Sequence, residues 1–228
     1  MISQSPTEAA GDPQGLVRRR LSAEADLHPD DIALIDATCV AVTTRAAGAD
    51  LTLETGPLFL TAGWACRVRE LGQHGRQILG FVLPGDPIGL RDAAEARAHR
   101  TVALTRVSLL DGREMTPVLA AQPETHRGLA SALAGAERAE HHRHLDHAVR
   151  LGALGAYHAM RHFLGELHDR LMLVGLAREG RFEMPVAQEV LGEALGISEV
   201  HANRVLAQLR RDRRLELGPG WAMLPDRA

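Results

Sequence analysis

Gly196 stands between two short stretches whose apolar residues repeat at helical spacing, and no other feature constrains the fold as much. Within residues 188–211, Leu191 and Leu195 lie at i and i+4, and Ala202, Leu206 and Leu209 lie at i, i+4 and i+7. Each stretch has one apolar face, and two such faces joined by a tight turn bury each other. Glycine suits a turn that needs a positive φ. Ser198 is placed to cap the second helix. The spacing therefore predicts a helix-turn-helix.

The face left over carries Glu199, Val200, His201, Asn203 and Arg204 near the N-terminus of the second helix. In this motif that is where base edges are read in the major groove of DNA. Arg204 is the best-placed direct contact, because its fork matches guanine O6 and N7 and discriminates by about 1–3 kcal/mol. Asn203 and His201 offer polar contacts, and Val200 offers an apolar one to a thymine methyl. Ser198 and Gln188, at helix starts, are candidates for phosphate contacts. Arg210 and Arg211, with Arg213 and Arg214, form a basic cluster. The competing reading is a helical hairpin that packs on another protein, its C-terminal arginines merely compensating the helix dipole.

With a net charge of -3 over 228 residues, any DNA binding must rest on such a local patch. The 45% hydrophobic content is ample for a core. No run of about 18 apolar residues predicts a membrane span, and the polar start of the chain does not read as a signal peptide. Two cysteines, Cys39 and Cys66, both on expected strands, point to a reducing cytoplasm rather than a disulfide framework. No Ser-His-Asp set, phosphate loop or paired-carboxylate motif predicts an enzyme. No cofactor is assigned.

Upstream, residues 1–15 are polar and expected to be mobile. Residues 16–36 accommodate one or two short helices, with a start at His28-Pro29-Asp30-Asp31. From Cys39 to about Leu110 the period changes to two. Leu51, Leu53 and Thr55 alternate with Thr52 and Glu54, Cys66, Val68 and Glu70 alternate with Arg67, Arg69 and Leu71, and Ile78 to Leu83 is a short apolar run. The turn clusters Gly72-Gln73-His74-Gly75 and Pro84-Gly85-Asp86 separate them. Short strands with frequent turns predict an antiparallel sandwich or roll.

From Pro123 strand signals vanish, which predicts a short helix, then a long one broken near Leu151-Gly152, then another through Leu171. Leu133, Leu145, Val149, Leu151 and Leu154 form an imperfect heptad that reads as a dimer seam. The run His141-His142-Arg143-His144-Leu145-Asp146-His147 has spacings that suit metal ligands on one helix face. It reads better as the helix's polar side, so no metal centre is assigned. Residues 181–184 predict a brief strand and Pro185 a helix start. After the helix-turn-helix, residues 215–224 predict a hairpin around Gly218-Pro219-Gly220, which is a wing.

The order of β-rich part, long helix and winged helix-turn-helix resembles the Crp/Fnr family of bacterial transcription regulators. Gly63-Trp64-Ala65-Cys66-Arg67, the stretch from Gly75 to Gly89, Leu151-Gly152, Ala156-Tyr157 and the stretch from Leu164 to Leu171 carry the resemblance. It covers roughly residues 50–225. It implies an α+β fold: an antiparallel, jelly-roll-like β-roll sensor domain (residues 1–122), a dimerisation helix (123–150) and a winged helix-turn-helix DNA-binding domain (151–228). It further implies a homodimer on a palindromic double-stranded operator, controlled by a small-molecule effector where one exists. Relatives that bind cyclic nucleotides hold the phosphate with an Arg-Ser or Arg-Thr pair. Here that place falls at Ala98-His99, and Arg100-Thr101 lies two residues later and reads as a surface strand start. The effector-pocket candidates are Asp86, Ile88, Gly89, His99, Arg100 and Thr101. Val200 departs from the glutamate of familiar relatives, so the operator differs from theirs; the first helix also departs from the family, with Ala187 in place of a capping threonine and Val190 in place of a polar residue. Two cysteines are too few for an iron–sulfur cluster. The alternative is the same fold used to bind protein, or to sense a cyclic nucleotide or haem, with weak or no specific DNA recognition.

Overall fold

The computed structural model describes residues 12–52, 56–90 and 99–227. Residues 1–11 of the polar N-terminus, the 53–55 part of the expected strand around Leu51, and Ala98 lie outside the described residues.

The described chain begins with helices α1 (Pro13–Ser22) and α2 (Pro29–Thr38). α2 starts where the sequence predicts: Pro29 holds the first position, and the Asp31 carboxylate accepts from the His28 backbone N–H at 3.0 Å. Cys39, expected on a strand, is instead the residue that ends α2, where its N–H still bonds the Ile35 carbonyl. Cys66 does lie on a strand.

Among the described residues seven strands follow: β1 (Val42–Arg45), β2 (Leu58–Ala62), β3 (Ala65–Glu70), β4 (Arg76–Val82), β5 (Pro87–Ile88), β6 (Arg100–Ala103) and β7 (Val107–Asp111). They form two antiparallel sheets, ordered β1-β7-β2-β5 and β4-β3-β6. Gly63 passes the chain from one sheet to the other at φ 76°, where an added Cβ would sit 2.1 Å from the Arg106 carbonyl oxygen. Only glycine fits that turn.

Helices α3 (Met115–Ala121), α4 (Arg127–Ala153) and α5 (Ala156–Leu173) come next. The short helix thus ends before Pro123 rather than starting after it. The break between the long helices falls at Leu154-Gly155, a few residues beyond the expected Leu151-Gly152. Leu154 and Gly155 are extended, while residues 151–153 stay helical. The C-terminal part holds β8 (Ala177–Arg178), β9 (Arg181–Glu183), α6 (Gln188–Ala194), α7 (Glu199–Arg211), β10 (Glu216–Gly218) and β11 (Trp221–Met223). Its strands form one antiparallel sheet ordered β10-β11-β9-β8. Pro185 does not open α6; the helix starts only after Ala187, which is extended, and Val186 packs against the core. No helix among the described residues is long and apolar enough to cross a membrane.

One apolar cluster crosses from the β-sheets into the C-terminal part. Trp64 and Phe81 pack with ring centroids 5.6 Å apart, and Phe81 meets Phe163 of α5 at 5.3 Å. The same cluster continues through Leu191, Ala202 and Leu206. A polar seam runs beside it. Asp86 is buried and ion-paired with Arg170 of α5 and, at 3.3 Å, with Arg20 of α1, while the Leu83 N–H donates to it at 2.8 Å. Arg150 of α4 pairs with Glu166 of α5. Removing one partner of such a buried pair costs about 3–5 kcal/mol, so the seam fixes how the parts meet.

Candidate nucleic-acid interface

The α6–α7 pair is built from the contacts its sequence anticipates. Gly196 adopts φ 64° in the turn, and Ile197 N–H returns to the Gly192 carbonyl at 3.0 Å. Leu191, Leu195, Ala202, Leu206 and Leu209 are buried together. Gly192 lets the helices touch: a Cβ there would lie 3.1 Å from the Ala202 Cβ and from the Ile197 carbonyl oxygen. The side chain of Ser198 accepts from the His201 N–H at 3.3 Å, capping α7 as expected and leaving its own hydroxyl hydrogen able to donate. At the other end Arg213 takes the left-handed conformation, φ 57°, and Arg214 N–H closes on the Leu209 carbonyl at 2.9 Å. The Tyr157 hydroxyl of α5 donates to Asp212 at 2.8 Å, anchoring that end to α5.

The side chains singled out for DNA all lie on the outside. Glu199, Val200, His201, Asn203 and Arg204 are exposed along the first two turns of α7, Val200 at 69%. Ser198 and Gln188 are exposed at the two helix starts. Arg210 and Arg211 line a surface cleft of ≈ 570 Å³ whose other wall is the β10–β11 hairpin, with Leu217 and Trp221. That hairpin is stiffened by Arg181, whose guanidinium lies 3.9 Å from the Trp221 ring centroid. The basic cluster at the end of α7 and the wing therefore border one cleft.

Nothing in the sequence hints at what holds α6 from behind. Arg76 at the start of β4 ion-pairs with Glu193, and the Gln77 amide donates to the carbonyls of Glu193 and Ala194 at 3.2 and 3.1 Å. The hydrogen bonds to Glu193 raise the Arg76 guanidinium further above its usual range. A contact across 117 residues between ordinary surface residue types leaves no local pattern to read.

The effector-pocket candidates are each held by different neighbours. Asp86 is consumed by the polar seam: burial alone would push its carboxyl up, but Arg170, Arg143 and Arg20 outweigh that and hold it well below the usual carboxylate range. Ile88 is buried on β5, and Gly89 turns at φ 78° just after it. Arg100 points outward, paired with Asp50 at 3.0 Å and Glu70 at 3.2 Å. Thr101 is buried and accepts from Arg67 at 3.0 Å, and Arg67 in turn pairs with Glu140 of α4. His99 faces His144 with ring centroids 6.4 Å apart.

The histidine run splits across α4: His141 and His142 face solvent, whereas His147 is buried with Nε2 donating to the Ile78 carbonyl at 3.1 Å. Among the described residues no three His, Cys, Asp or Glu side chains group as a metal ion needs. Burial pushes the thiols of Cys39 and Cys66 up to about 11 and about 12, so both stay protonated and unreactive near neutral pH.

Residues 160–228 match the family model of the Crp-like helix-turn-helix domain. No curated protein matches the chain significantly. Among solved structures, FixK2 from Bradyrhizobium japonicum is similar at 23% identity and a TM-score of 0.67, covering 82% of this chain and 93% of that one. The global regulator CLP of Xanthomonas campestris, described as responsive to c-di-GMP, is similar at 16% identity and 0.59, covering 86% and 99%. A CRP-family transcriptional regulator from Thermus thermophilus is similar at 22% identity and 0.55, covering 81% and 92%. The chain thus carries a Crp-like helix-turn-helix domain within the fold of Crp/Fnr regulators.

Proposed function

We propose that the chain is a cytoplasmic, homodimeric transcription regulator of Crp/Fnr type that reads a palindromic operator with the exposed face of α7. The observation that carries this reading is the capped N-terminus of α7, which presents Arg204, Asn203, His201 and Val200 to solvent, with the arginine-lined wing cleft at the helix's other end. A helix so exposed at its first turns enters a major groove without rearrangement, and the basic cluster supplies phosphate contacts. The dimer forms along α4, where Leu145, Val149 and Leu151, with Leu154 just after its end, are exposed. Leu133, the fifth residue of the expected seam, packs instead on the α1–α2 side. Two-fold symmetry then sets half-sites about one helical turn apart. The Arg100–Thr101 pair does not clamp a cyclic phosphate, since Arg100 is committed to Asp50 and Glu70.

Selection of bound fragments from genomic DNA, followed by gel shifts, tests the reading. A palindromic consensus is expected. Arg204→Ala should lose about 1–3 kcal/mol of preference for that site while keeping salt-sensitive weak binding. Specificity unchanged in this variant removes Arg204 from the reading face. A chain that selects no sequence is a protein-binding module on the same fold.

A further inference from the structure

The turn of the helix-turn-helix is bracketed by residues from far upstream. A Cβ added to Gly196 would lie 3.8 Å from Gln77 Oε1 of β4 and 3.7 Å from Leu151 Cδ2 of α4. Just before the turn, the Gln77 amide donates to the carbonyls of Glu193 and Ala194, and the Arg76 guanidinium meets both oxygens of the Glu193 carboxylate. The end of α6 therefore rests on the first residues of β4, with the end of α4 beside it.

The two contacts are not equal. The Arg76 and Glu193 side chains are 40% and 24% exposed, and a pair so open to water is screened and holds its geometry loosely. Gln77 is half-buried, and its partners are main-chain oxygens in the last turn of α6, where carbonyls run short of N–H partners within the helix. A main-chain oxygen has no rotamer of its own. An amide bonded to two of them follows the axis of the helix and not the swing of a side chain. The amide must also donate: a carboxylate of the same shape would meet the two carbonyls acceptor to acceptor.

Packing carries this to α7. The α6 and α7 helices touch through Gly192 and share the buried Leu191, Ala202 and Leu206, so an axis fixed for one is fixed for the other. The other tie to the sensor part runs through α5, which Arg170 pins to Asp86. Two separate ties fix a direction that one leaves free to turn. We infer that Gln77, seconded by Arg76, is a positioning residue for DNA reading: it reaches from the sensor strand to set the direction in which α7 is presented. This rests on the operator-reading function proposed above. It makes β4 the strand through which a change in the sensor part reaches the reading helix. It also makes the spacing of the half-sites, rather than their sequence, the property that Gln77 controls.

The test uses the full chain, first without DNA. Spin labels at Arg69→Cys on β3 and Gln208→Cys on α7, both exposed positions, report the distance from sensor sheet to reading helix, while the buried Cys39 and Cys66 stay unlabelled. Dilution with unlabelled protein leaves one labelled chain per dimer. A single narrow distance is expected in the parent, and a broadened or displaced one in Gln77→Ala and in Gln77→Glu, which keeps the volume. Gel shifts then use the palindrome that the parent selects, the same palindrome with one base pair added between its halves, and a single half-site. The added base pair rotates the far half-site by about a tenth of a turn. The parent's affinity should fall at least about ten-fold on it, and that of both variants about three-fold or less, with the single half-site bound as by the parent. A Gln77→Glu protein that keeps either the parent's distance or the parent's spacing penalty overturns the inference. So does an equal loss on half-site and palindrome, the mark of a merely structural residue. A parent that selects no sequence refutes the operator reading alone, and the label distances still decide whether Gln77 positions α7.

Discussion

Along its C-terminal half, α4 buries His147 and Arg150 against its own chain, at 4% and 2% exposure, and leaves Leu145 and Val149 at 54% on the other side. The α7 helix does the reverse, with Ala202, Leu206 and Leu209 inside and Glu199, Asn203 and Arg204 outside. A helix that ends its burial in a monomer shows the α7 pattern. The α4 pattern is that of a helix whose apolar side belongs to a second surface, while its polar side is held within the chain by Glu166 and Ile78. The contrast separates two jobs: α7 is finished and waits for a polar partner, and α4 is unfinished and calls for an apolar one.

Substitutions at three places test that contrast. The largest effect is expected on the inner side of α4. Glu166→Leu strands the Arg150 guanidinium and strips Arg170 of one of its two carboxylates, and should lower stability by about 3–5 kcal/mol in urea unfolding. A loss below about 1 kcal/mol would show that the inner face is not the fixed one. On the outer side, Leu145→Asp with Val149→Asp removes two apolar side chains, each worth about 1.5–3 kcal/mol when buried. Sedimentation should then show a dimer weakened by about 100-fold or more. An unaltered dimer would place the interface elsewhere. The smallest effect is acid sensitivity. His147 titrates lower in the folded chain than in the unfolded one, from burial and then Arg150, so the unfolded state takes up its proton first. Stability from this group is therefore fully present above the unfolded value of 6.5 and lost as pH falls from there through the lower folded value. Replacing His147 with Phe should flatten that part of the pH–stability profile, and an identical slope would assign it to other groups.

The sequence reveals what is local. Leu191 with Leu195, and Ala202 with Leu206, recur at spacings that only a helix converts into one face, and Gly196 and Ser198 act within four residues of themselves. The wing is legible for the same reason. Which side of α4 faces inward is not, because Leu145 and Val149 obey the heptad whichever side is covered. The position of the break is ambiguous in the sequence because Gly152 and Gly155 are both present, and only packing of α5 chooses between them. Asp86 reads as a pocket residue because its partners, 66 and 84 residues away, leave no trace in its neighbourhood. The Arg76–Glu193 contact is invisible on the same grounds.

Gly192 lets α6 and α7 pack as a single rigid body, and Leu154-Gly155 is all that joins α4 to α5 along the chain. In a dimer zipped along α4, the two reading heads would thus hang from a pair of two-residue joints. The torsions of those joints would become a ruler: a small twist at each, transmitted along an 18-residue α5, would set the span between the two reading helices. The Asp86–Arg170 and Arg76–Glu193 pairs would then be the pins that hold the ruler at one length.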